Sequence, residues 1–165
     1  MDQQKMIRPR NYWYEFLVIL SGLVFIGIWW LILRSARKAI LAGCLSYIIL
    51  AWSLRFAFQK HHMDGMKLMR AKNYHEAAAA FQQSQDFFEK HPAIDKYRFI
   101  TMFSSSAIPY RQMALNNLGI CYLYLGEDAK ALDVFKKLAE LNSSYPNIDK
   151  AIKEIRSHID EATRL

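Results

Sequence analysis

Residues 118–135 read LGICYLYLGEDAKALDVF, and residues 64–81, which lie 54 positions earlier, read DGMKLMRAKNYHEAAAAF. The two stretches carry glycine, alanine and phenylalanine at the same three places. The six residues that define this repeat are Gly65, Ala77 and Phe81 in the first copy and Gly119, Ala131 and Phe135 in the second. Each copy predicts two amphipathic helices joined by a short break, and a duplicated helix pair is typical of an all-α solenoid.

The three repeated residue types indicate how the helices of each copy pack. A glycine in the first helix lets the second helix approach closely, and an alanine is the small contact from that second helix. We expect the phenylalanine to fill the space toward the next helix pair. Because spacing and residue types agree twice, a coincidental helical hairpin is the weaker interpretation.

At these residues the chain resembles the tetratricopeptide repeat, a helix-turn-helix unit of about 34 residues. The second copy, residues 112–145, is the closer match, because Leu118 and Gly126 also occupy places of the family pattern. The first copy, residues 58–91, has Asp64 where the family usually has a large apolar residue. The resemblance implies stacked helix pairs and a role in binding other proteins.

Two further stretches complete a repeat domain over residues 59–165. Residues 92–111 separate the copies, and we expect Ile94 to Phe103 to lengthen the second helix of the first repeat. The apolar side chains of this insertion are either a surface for a partner or the bilayer, or a cover for the repeat stack. Residues 147–163 predict a capping helix. Two repeats and a cap are few for such an array, so a bound partner or homo-oligomerisation is expected to add stability.

The N-terminal part of the chain, residues 1–58, has the composition of a membrane anchor. Residues 16–33 and 39–54 contain no charged side chain. A helix of 18 residues is roughly 27 Å long, close to the hydrocarbon thickness of a bilayer. We therefore predict a transmembrane hairpin. Its two helices cover roughly residues 13–33 and 39–58.

Two alternatives to membrane helices are weaker. Buried helices of a small soluble core would carry a polar stripe on their outer face, which these segments lack. A cleavable signal peptide would end at small residues, whereas residues 34–38 read RSARK. Arg55, near the end of the second segment, is expected to extend its long side chain toward a lipid headgroup.

Five residues separate the two segments, so both chain ends lie on one side of the membrane. The positive-inside rule assigns the cytoplasm to the side richer in Lys and Arg. The cations near the chain ends are Lys5, Arg8, Arg10, Arg55, Lys60, Lys67, Arg70 and Lys72, and those at the hairpin tip are Arg34, Arg37 and Lys38. This count, together with the scarcity of targeting signals, predicts an integral protein of the bacterial inner (plasma) membrane with a cytoplasmic repeat domain.

Small side chains share one face of the second segment. They are Ala39, Ala42, Gly43 and Ser46. Such a face lets another helix approach closely. Its partner is either the first helix of the same hairpin or a helix of another protein.

The sequence contains no recognisable catalytic, cofactor-binding or metal-binding pattern. No His, Cys, Asp or Glu stands at a convincing ligand spacing, the two cysteines are not in a CxxC, and no phosphate-binding glycine loop occurs. The first 58 residues carry 7 Lys and Arg against 2 Asp and Glu. Since this basic surplus flanks apolar segments, it gives no reason to expect a nucleic-acid partner. We predict neither an enzyme nor a cofactor.

Protein binding is the remaining function. Tetratricopeptide repeats present the first helices of their pairs along a groove that takes a peptide or a partner helix. The residues expected to face this groove are Met66, Met69, Arg70, Asn116, Ile120, Leu123 and Tyr124. They predict an apolar partner surface with a few polar contacts. The alternative is that they contact the insertion or the capping helix.

Together these features predict a membrane-anchored adaptor or scaffold that recruits a protein partner through a groove of tetratricopeptide-like repeats. The alternative is an accessory subunit of a larger membrane complex, which would bind that complex through the hairpin. A third interpretation is a hairpin that remains in one leaflet and shapes the membrane.

Overall fold

A computed structural model describes residues 11–163 of the chain. Regular structure in this range is helical throughout, with no β-strand, so the all-α prediction is confirmed. The helices are α1 Tyr12–Leu33, α2 Ala36–Arg70, α3 Tyr74–Lys90, α4 Pro92–Lys96, α5 Arg98–Thr101, α6 Tyr110–Tyr124, α7 Asp128–Leu141 and α8 Ile148–Thr163. They form two compact units. Of the described residues, unit one holds 11–59 together with 93–108, and unit two holds 60–92 together with 109–163.

In unit one, α1 and the first part of α2 form a helical hairpin. Asn11 caps α1, because its side-chain oxygen accepts a hydrogen bond from the Trp13 N–H at 3.0 Å. The helix ends at Arg34, which adopts a left-handed conformation with φ 52° and begins the turn into α2. Both helices are long and apolar enough to cross a membrane. The cations of the N-terminal tail, Lys5, Arg8 and Arg10, lie outside the described residues.

The small face of α2 packs on α1 of the same hairpin. Ala39 is buried, and a Cβ added at Gly43 would lie 2.8 Å from the Ile26 Cα atom, so the backbones meet there. Close by, the Trp29 Nε1–H donates to the Ser46 hydroxyl at 3.0 Å. The small residues therefore serve contact within the hairpin, which was one of the two alternatives for this face.

The insertion between the repeats differs from the prediction. Helix α3 ends at Lys90 and does not continue to Phe103. His91 precedes Pro92, and a residue before proline is disfavoured in the helical conformation, so the helix stops there. The short helices α4 and α5 follow. Residues 93–108 belong to unit one, whereas the sequence placed them with the repeats.

Arg98 holds the 93–108 segment together. Its guanidinium donates to the backbone carbonyls of Asp95, Ser106 and Ala107 at 2.8 to 2.9 Å. It also lies over the Tyr14 ring of α1, with its Cζ atom 5.1 Å from the ring centre. A charged side chain buried in this way stabilises an irregular backbone, because it satisfies carbonyls that no helix uses.

Unit two is a stack of helices in chain order. Helix α3 packs on α6, α6 on α7, and α7 on α8. Its fully buried side chains include Phe81, Phe88, Leu115, Leu118, Phe135 and Leu138. Helix α8 turns Ile148, Ala151 and Ile155 inward, so it covers the end of the stack.

The turn within each helix pair has the same backbone geometry. Lys72 and Gly126, which are 54 positions apart, both have left-handed backbones with φ 60° and 72°. In the first copy the N–H groups of Lys72 and Asn73 donate to the carbonyls of Met69 and Leu68, and in the second those of Gly126 and Glu127 donate to Leu123 and Tyr122. This pairing is the Schellman motif that ends many helices. In both copies this turn therefore reverses the chain at the same position of the repeat.

Candidate protein-binding surface

A phenylalanine ring lies over the glycine of its own helix pair in both copies. A Cβ added at Gly65 would meet the Phe81 ring at 2.9 Å, and one added at Gly119 would meet the Phe135 ring at 2.7 Å. Both rings are fully buried. Phe81 also shares a core cluster with Leu118 of α6, so it links the first pair to the second. The glycines thus fix how closely the two helices of each pair approach.

The C-terminal end of α2 is also joined to α6 by a buried polar contact. The Asn117 side-chain amide donates to the Met66 sulfur at 3.4 Å. Both side chains are buried, at 4 % and 3 % exposure. A sulfur atom is a weak acceptor, so this contact orients the helices more than it strengthens the core.

The structure places the seven predicted partner residues in three different environments. Met66 and Ile120 lie in the interior of unit two, so they have no surface to offer a partner, and this corrects their expected exposure. Their burial follows from the helix stack, which a sequence pattern for one repeat does not specify. The half-buried members are Met69, Asn116 and Leu123, and the exposed members are Arg70 and Tyr124.

Two stacked tyrosines, one half-buried and one exposed, lie at the ends of α3 and α6. Tyr124, the last residue of α6, stacks on Tyr74, the first residue of α3, with ring centres 4.4 Å apart and planes 7° apart. The prediction named Tyr124 as a partner residue but missed Tyr74. Its position directly after the turn at Lys72 was the available signal, because that turn returns the chain to the end of the first helix.

We call this region the Tyr74–Tyr124 surface. It comprises the stacked tyrosines with Met69, Arg70 and Leu123 at the C-terminal ends of α2 and α6. Met69 and Tyr74 pack on the same buried cluster, which holds them in place. Tyrosine and arginine are the residue types that most often dominate protein interfaces, because they combine a large apolar contact with hydrogen bonding.

A charge cluster joins three helices of unit two. Glu89 of α3 pairs with Arg111 of α6, and the Lys137 ammonium of α7 lies 3.8 Å from the same carboxylate. Gln85 donates to Glu89 at 2.7 Å. The Gln85 hydrogen bond, with smaller contributions from the two cations, lowers the pKa of Glu89 below its ordinary value. The carboxylate therefore stays charged and links α3, α6 and α7.

Two buried side chains of unit two have raised pKa values. Cys121 is fully buried, and burial raises the pKa of its thiol to about 12, so the nucleophilic thiolate is not formed at neutral pH. Burial likewise raises the pKa of Tyr145 to about 12. Within residues 11–163 there is no group of three or more His, Cys, Asp or Glu side chains that could hold a metal ion.

Comparison with known proteins finds a family similarity for part of this unit. Residues 112–145 match the model of the tetratricopeptide repeat, and these residues include α6 and α7 with Gly119 and Phe135. No curated protein and no solved structure matches the chain. Repeats of this family are generally non-catalytic and are typical of adaptors and scaffolds that bind other proteins. The packing of α6 on α7, with the Phe135 ring over Gly119, agrees with this match over residues 112–145.

Proposed function

We propose that the chain is a membrane-anchored adaptor, in which unit one holds the protein in a bilayer and unit two binds a protein partner. The observation that carries the proposal is the pairing, in one chain, of a tetratricopeptide repeat with two long helices whose outer surfaces are apolar and exposed. A protein-binding repeat needs no such helices in order to bind. Their presence is explained if binding takes place at a membrane.

The exposure of the hairpin supports a membrane location. None of the residues of α1 is buried, although the helix is almost entirely apolar. Large exposed side chains on the two helices include Ile19, Leu23, Leu31, Leu41, Leu45, Ile48 and Trp52. The core helix of a soluble protein would be mostly covered, and a continuous apolar surface of this size is unfavourable in water. A helix satisfies its own backbone hydrogen bonds, so lipid is a suitable surrounding.

The Tyr74–Tyr124 surface is the proposed contact for the partner. Its stacked tyrosines and Arg70 favour a peptide or helix that combines apolar side chains with acceptor groups. The first helix pair, residues 58–91, is proposed as a second tetratricopeptide-like repeat. Its contact between a glycine and a phenylalanine ring, and its turn, have the same geometry as those of residues 112–145. The proposed site thus spans both pairs.

We further propose that unit two lies in the cytoplasm of a bacterium, with the hairpin in the inner membrane. Support comes from the larger number of Lys and Arg near the chain ends than at the hairpin tip. The described cations at the tip, Arg34, Arg37 and Lys38, are exposed.

Crosslinking from the Tyr74–Tyr124 surface tests the adaptor function. A photoreactive amino acid at Tyr124 of the full chain, in native membranes, is expected to capture a specific protein, whereas the same group at Lys153 on the exposed side of α8 is not. Arg70→Ala, at an exposed side chain of the same surface, should weaken the capture while the melting temperature in detergent stays close to that of the unchanged chain. Equal capture from Tyr124 and Lys153 would contradict a defined site.

Exchange of the hairpin separates the adaptor from the accessory-subunit alternative. Replacing α1 and the apolar part of α2 with an unrelated two-helix anchor should leave the Tyr124 crosslink in place if unit two binds the partner. Loss of the crosslink in a chain that still inserts would favour the subunit. The small face of α2 already packs inside the hairpin, so a subunit would have to use another side of the helices.

A further inference from the structure

The 93–108 segment packs against the open end of the hairpin in unit one. Phe99 of α5 stacks on Tyr14 of α1, with ring centres 5.1 Å apart. The Asn11 N–H donates to the Ser105 carbonyl at 2.9 Å. Phe103 meets the Tyr47 ring of α2 edge to face at 4.9 Å. The segment therefore lies where the apolar run of α1 begins.

An arginine of α2 is hydrogen-bonded to the same segment. The Arg55 guanidinium donates to the backbone carbonyls of Met102 at 3.1 Å and Phe103 at 2.7 Å. Arg55 follows directly on the second uncharged run. Carbonyl groups of an irregular backbone are costly in an apolar surrounding unless a donor satisfies them. Because Arg55 satisfies these two carbonyl groups, the loop at residues 102–103 can lie in a partly dehydrated surrounding.

The outward side chains of the segment are of the kinds found at membrane interfaces. Tyr97 and Ile100 are 48 % and 60 % exposed, and the Lys96 ammonium lies 5.5 Å from the centre of the Tyr97 ring. At the start of α1, beside Tyr14, the rings of Tyr12 and Trp13 are also exposed. Tyr and Trp are enriched at the headgroup level of membranes, and Lys there extends its charge toward water.

We infer that the 93–108 segment is an interfacial element that lies in the headgroup region of the bilayer beside the hairpin, with Tyr97 and Ile100 in contact with lipid. This inference rests on the proposed membrane location of the hairpin and goes beyond it. The occupant of the exposed face is the lipid surface, because the face continues the apolar surface of α1 at its membrane end. The anchor then consists of two membrane helices and a third, surface-bound element.

Fluorescence quenching in vesicles tests this position. Ile100→Cys and, separately, Tyr97→Cys are labelled with a polarity-sensitive fluorophore in the full chain carrying Cys44→Ala and Cys121→Ala. The vesicles contain phosphatidylcholine and phosphatidylglycerol, with a quencher attached to the lipid either near the headgroup or deep in the acyl chain. Matched control labels are placed at Leu23→Cys, in the middle of α1, and at Ser157→Cys, exposed on α8.

We expect the emission maximum of labels at positions 97 and 100 to move to shorter wavelength in vesicles. The quencher near the headgroup should also reduce their fluorescence. Dissolved iodide should quench them less than the label at position 157. The label at 23 should respond to the deep quencher. If positions 97 and 100 behave like 157 while 23 stays quenched in lipid, the interfacial position is wrong and the membrane anchor stands. If position 23 is also open to iodide, the anchor itself is refuted, and the present inference with it.

Discussion

At the scale of single residues, two glycines carry the packing of unit two. Gly65 and Gly119 each occupy a helix surface onto which a buried phenylalanine ring is pressed. Interiors are packed as closely as organic crystals, so no space remains for an added methyl group. Larger residues are therefore excluded at these two positions by contact with the phenylalanine ring and not by the backbone conformation.

We expect Gly119→Ala to destabilise unit two. The added Cβ would lie 2.7 Å from the Phe135 ring, which is buried on all sides. Overpacking costs about 1–3 kcal/mol, and the better helix propensity of alanine offsets up to about 1 kcal/mol of this. A net loss of about 1–2 kcal/mol should lower the melting temperature of the full chain in detergent, followed by circular dichroism.

Gly27→Ala is the matched control for this substitution. Gly27 is also helical, but an added Cβ there meets no atom within 4 Å. It should leave the melting temperature unchanged or raise it slightly. Equal effects of the two variants would show that the ring contact does not restrict position 119.

A second residue prediction concerns the turns. Lys72 adopts the left-handed conformation with φ 60° that Gly126 adopts at the matching place of the second copy. A side chain in this conformation costs about 1–2 kcal/mol, whereas glycine has no such penalty but loses about 0.5–1 kcal/mol more entropy on folding. Lys72→Gly should therefore stabilise the first pair by about 0.5–1 kcal/mol, measured as a higher midpoint in chemical unfolding.

The reciprocal change gives the control. Gly126→Ala places a side chain in the same conformation and should lower the midpoint, since open space around the Cβ does not remove the backbone strain. If Lys72→Gly also lowered the midpoint, the lysine side chain would have to contribute more through contacts than its backbone costs.

At the scale of helices, Glu89 predicts a dependence of stability on pH. A carboxylate whose pKa is lowered in the folded chain stabilises it above the unfolded pKa, which is near 4.5, and loses that contribution as the pH falls through the folded value. Glu89→Gln should thus lower the melting temperature at neutral pH, with a difference that disappears below the folded pKa. Because the side chain is partly exposed, we expect an effect of about 1 kcal/mol or less.

Glu140→Gln on the exposed side of α7 is the comparison for this effect. It removes the same charge without the neighbours of Glu89. A melting difference for Glu89→Gln that persists in acid would mean that packing or the Gln85 hydrogen bond, and not the ionised carboxylate, accounts for the loss.

A second prediction at this scale concerns the link between α2 and the 93–108 segment. Arg55→Met keeps a long side chain but removes two charge-assisted hydrogen bonds to Met102 and Phe103. Such bonds contribute about 1.5–3 kcal/mol each when the acceptor is otherwise unsatisfied. Hydrogen exchange of the amides at 102–105 should become faster, by roughly tenfold for each 1.4 kcal/mol lost.

Arg37→Met near the hairpin tip should leave exchange in this segment unchanged, since it removes an equivalent charge from the exposed start of the same helix. Unchanged exchange in Arg55→Met would indicate that Arg98 and the aromatic contacts hold the segment without help from α2.

Particular elements show what the sequence could and could not predict. The recurrence of Gly65, Ala77 and Phe81 after 54 residues predicted a helix-pair stack, because each of these positions is buried against another helix. The extension of α3 to Phe103 was wrong, since apolar composition does not say where a helix stops, although Pro92 was a signal for its end. The Arg55 contact with loop carbonyls was not predictable from spacing, because its partners lie 47 and 48 residues away.

At the scale of the whole molecule, neither unit is one continuous piece of chain. The chain leaves unit one after Gln59, returns to it for residues 93–108, and then completes unit two. From the sequence, residues 93–108 were predicted to be part of an insertion between the repeats and to belong to the repeat domain. The boundary near residue 58 was predicted from the change in composition. The two units are defined instead by contacts, many of them between residues that are distant in sequence.

The connectivity of the hairpin leads to a prediction about the sides of the membrane. A membrane-impermeant maleimide is applied to intact spheroplasts expressing the chain with Cys44→Ala and Cys121→Ala. Ser35→Cys, in the turn between α1 and α2, should react from outside, whereas Ser157→Cys, exposed on α8, should react only after lysis. The physical reason is that α1 is roughly 33 Å long, enough to carry the turn across the hydrocarbon region. Reaction of both sites from outside, or of neither before lysis, would contradict a spanning hairpin with cytoplasmic repeats, and the second result would favour a hairpin confined to one leaflet.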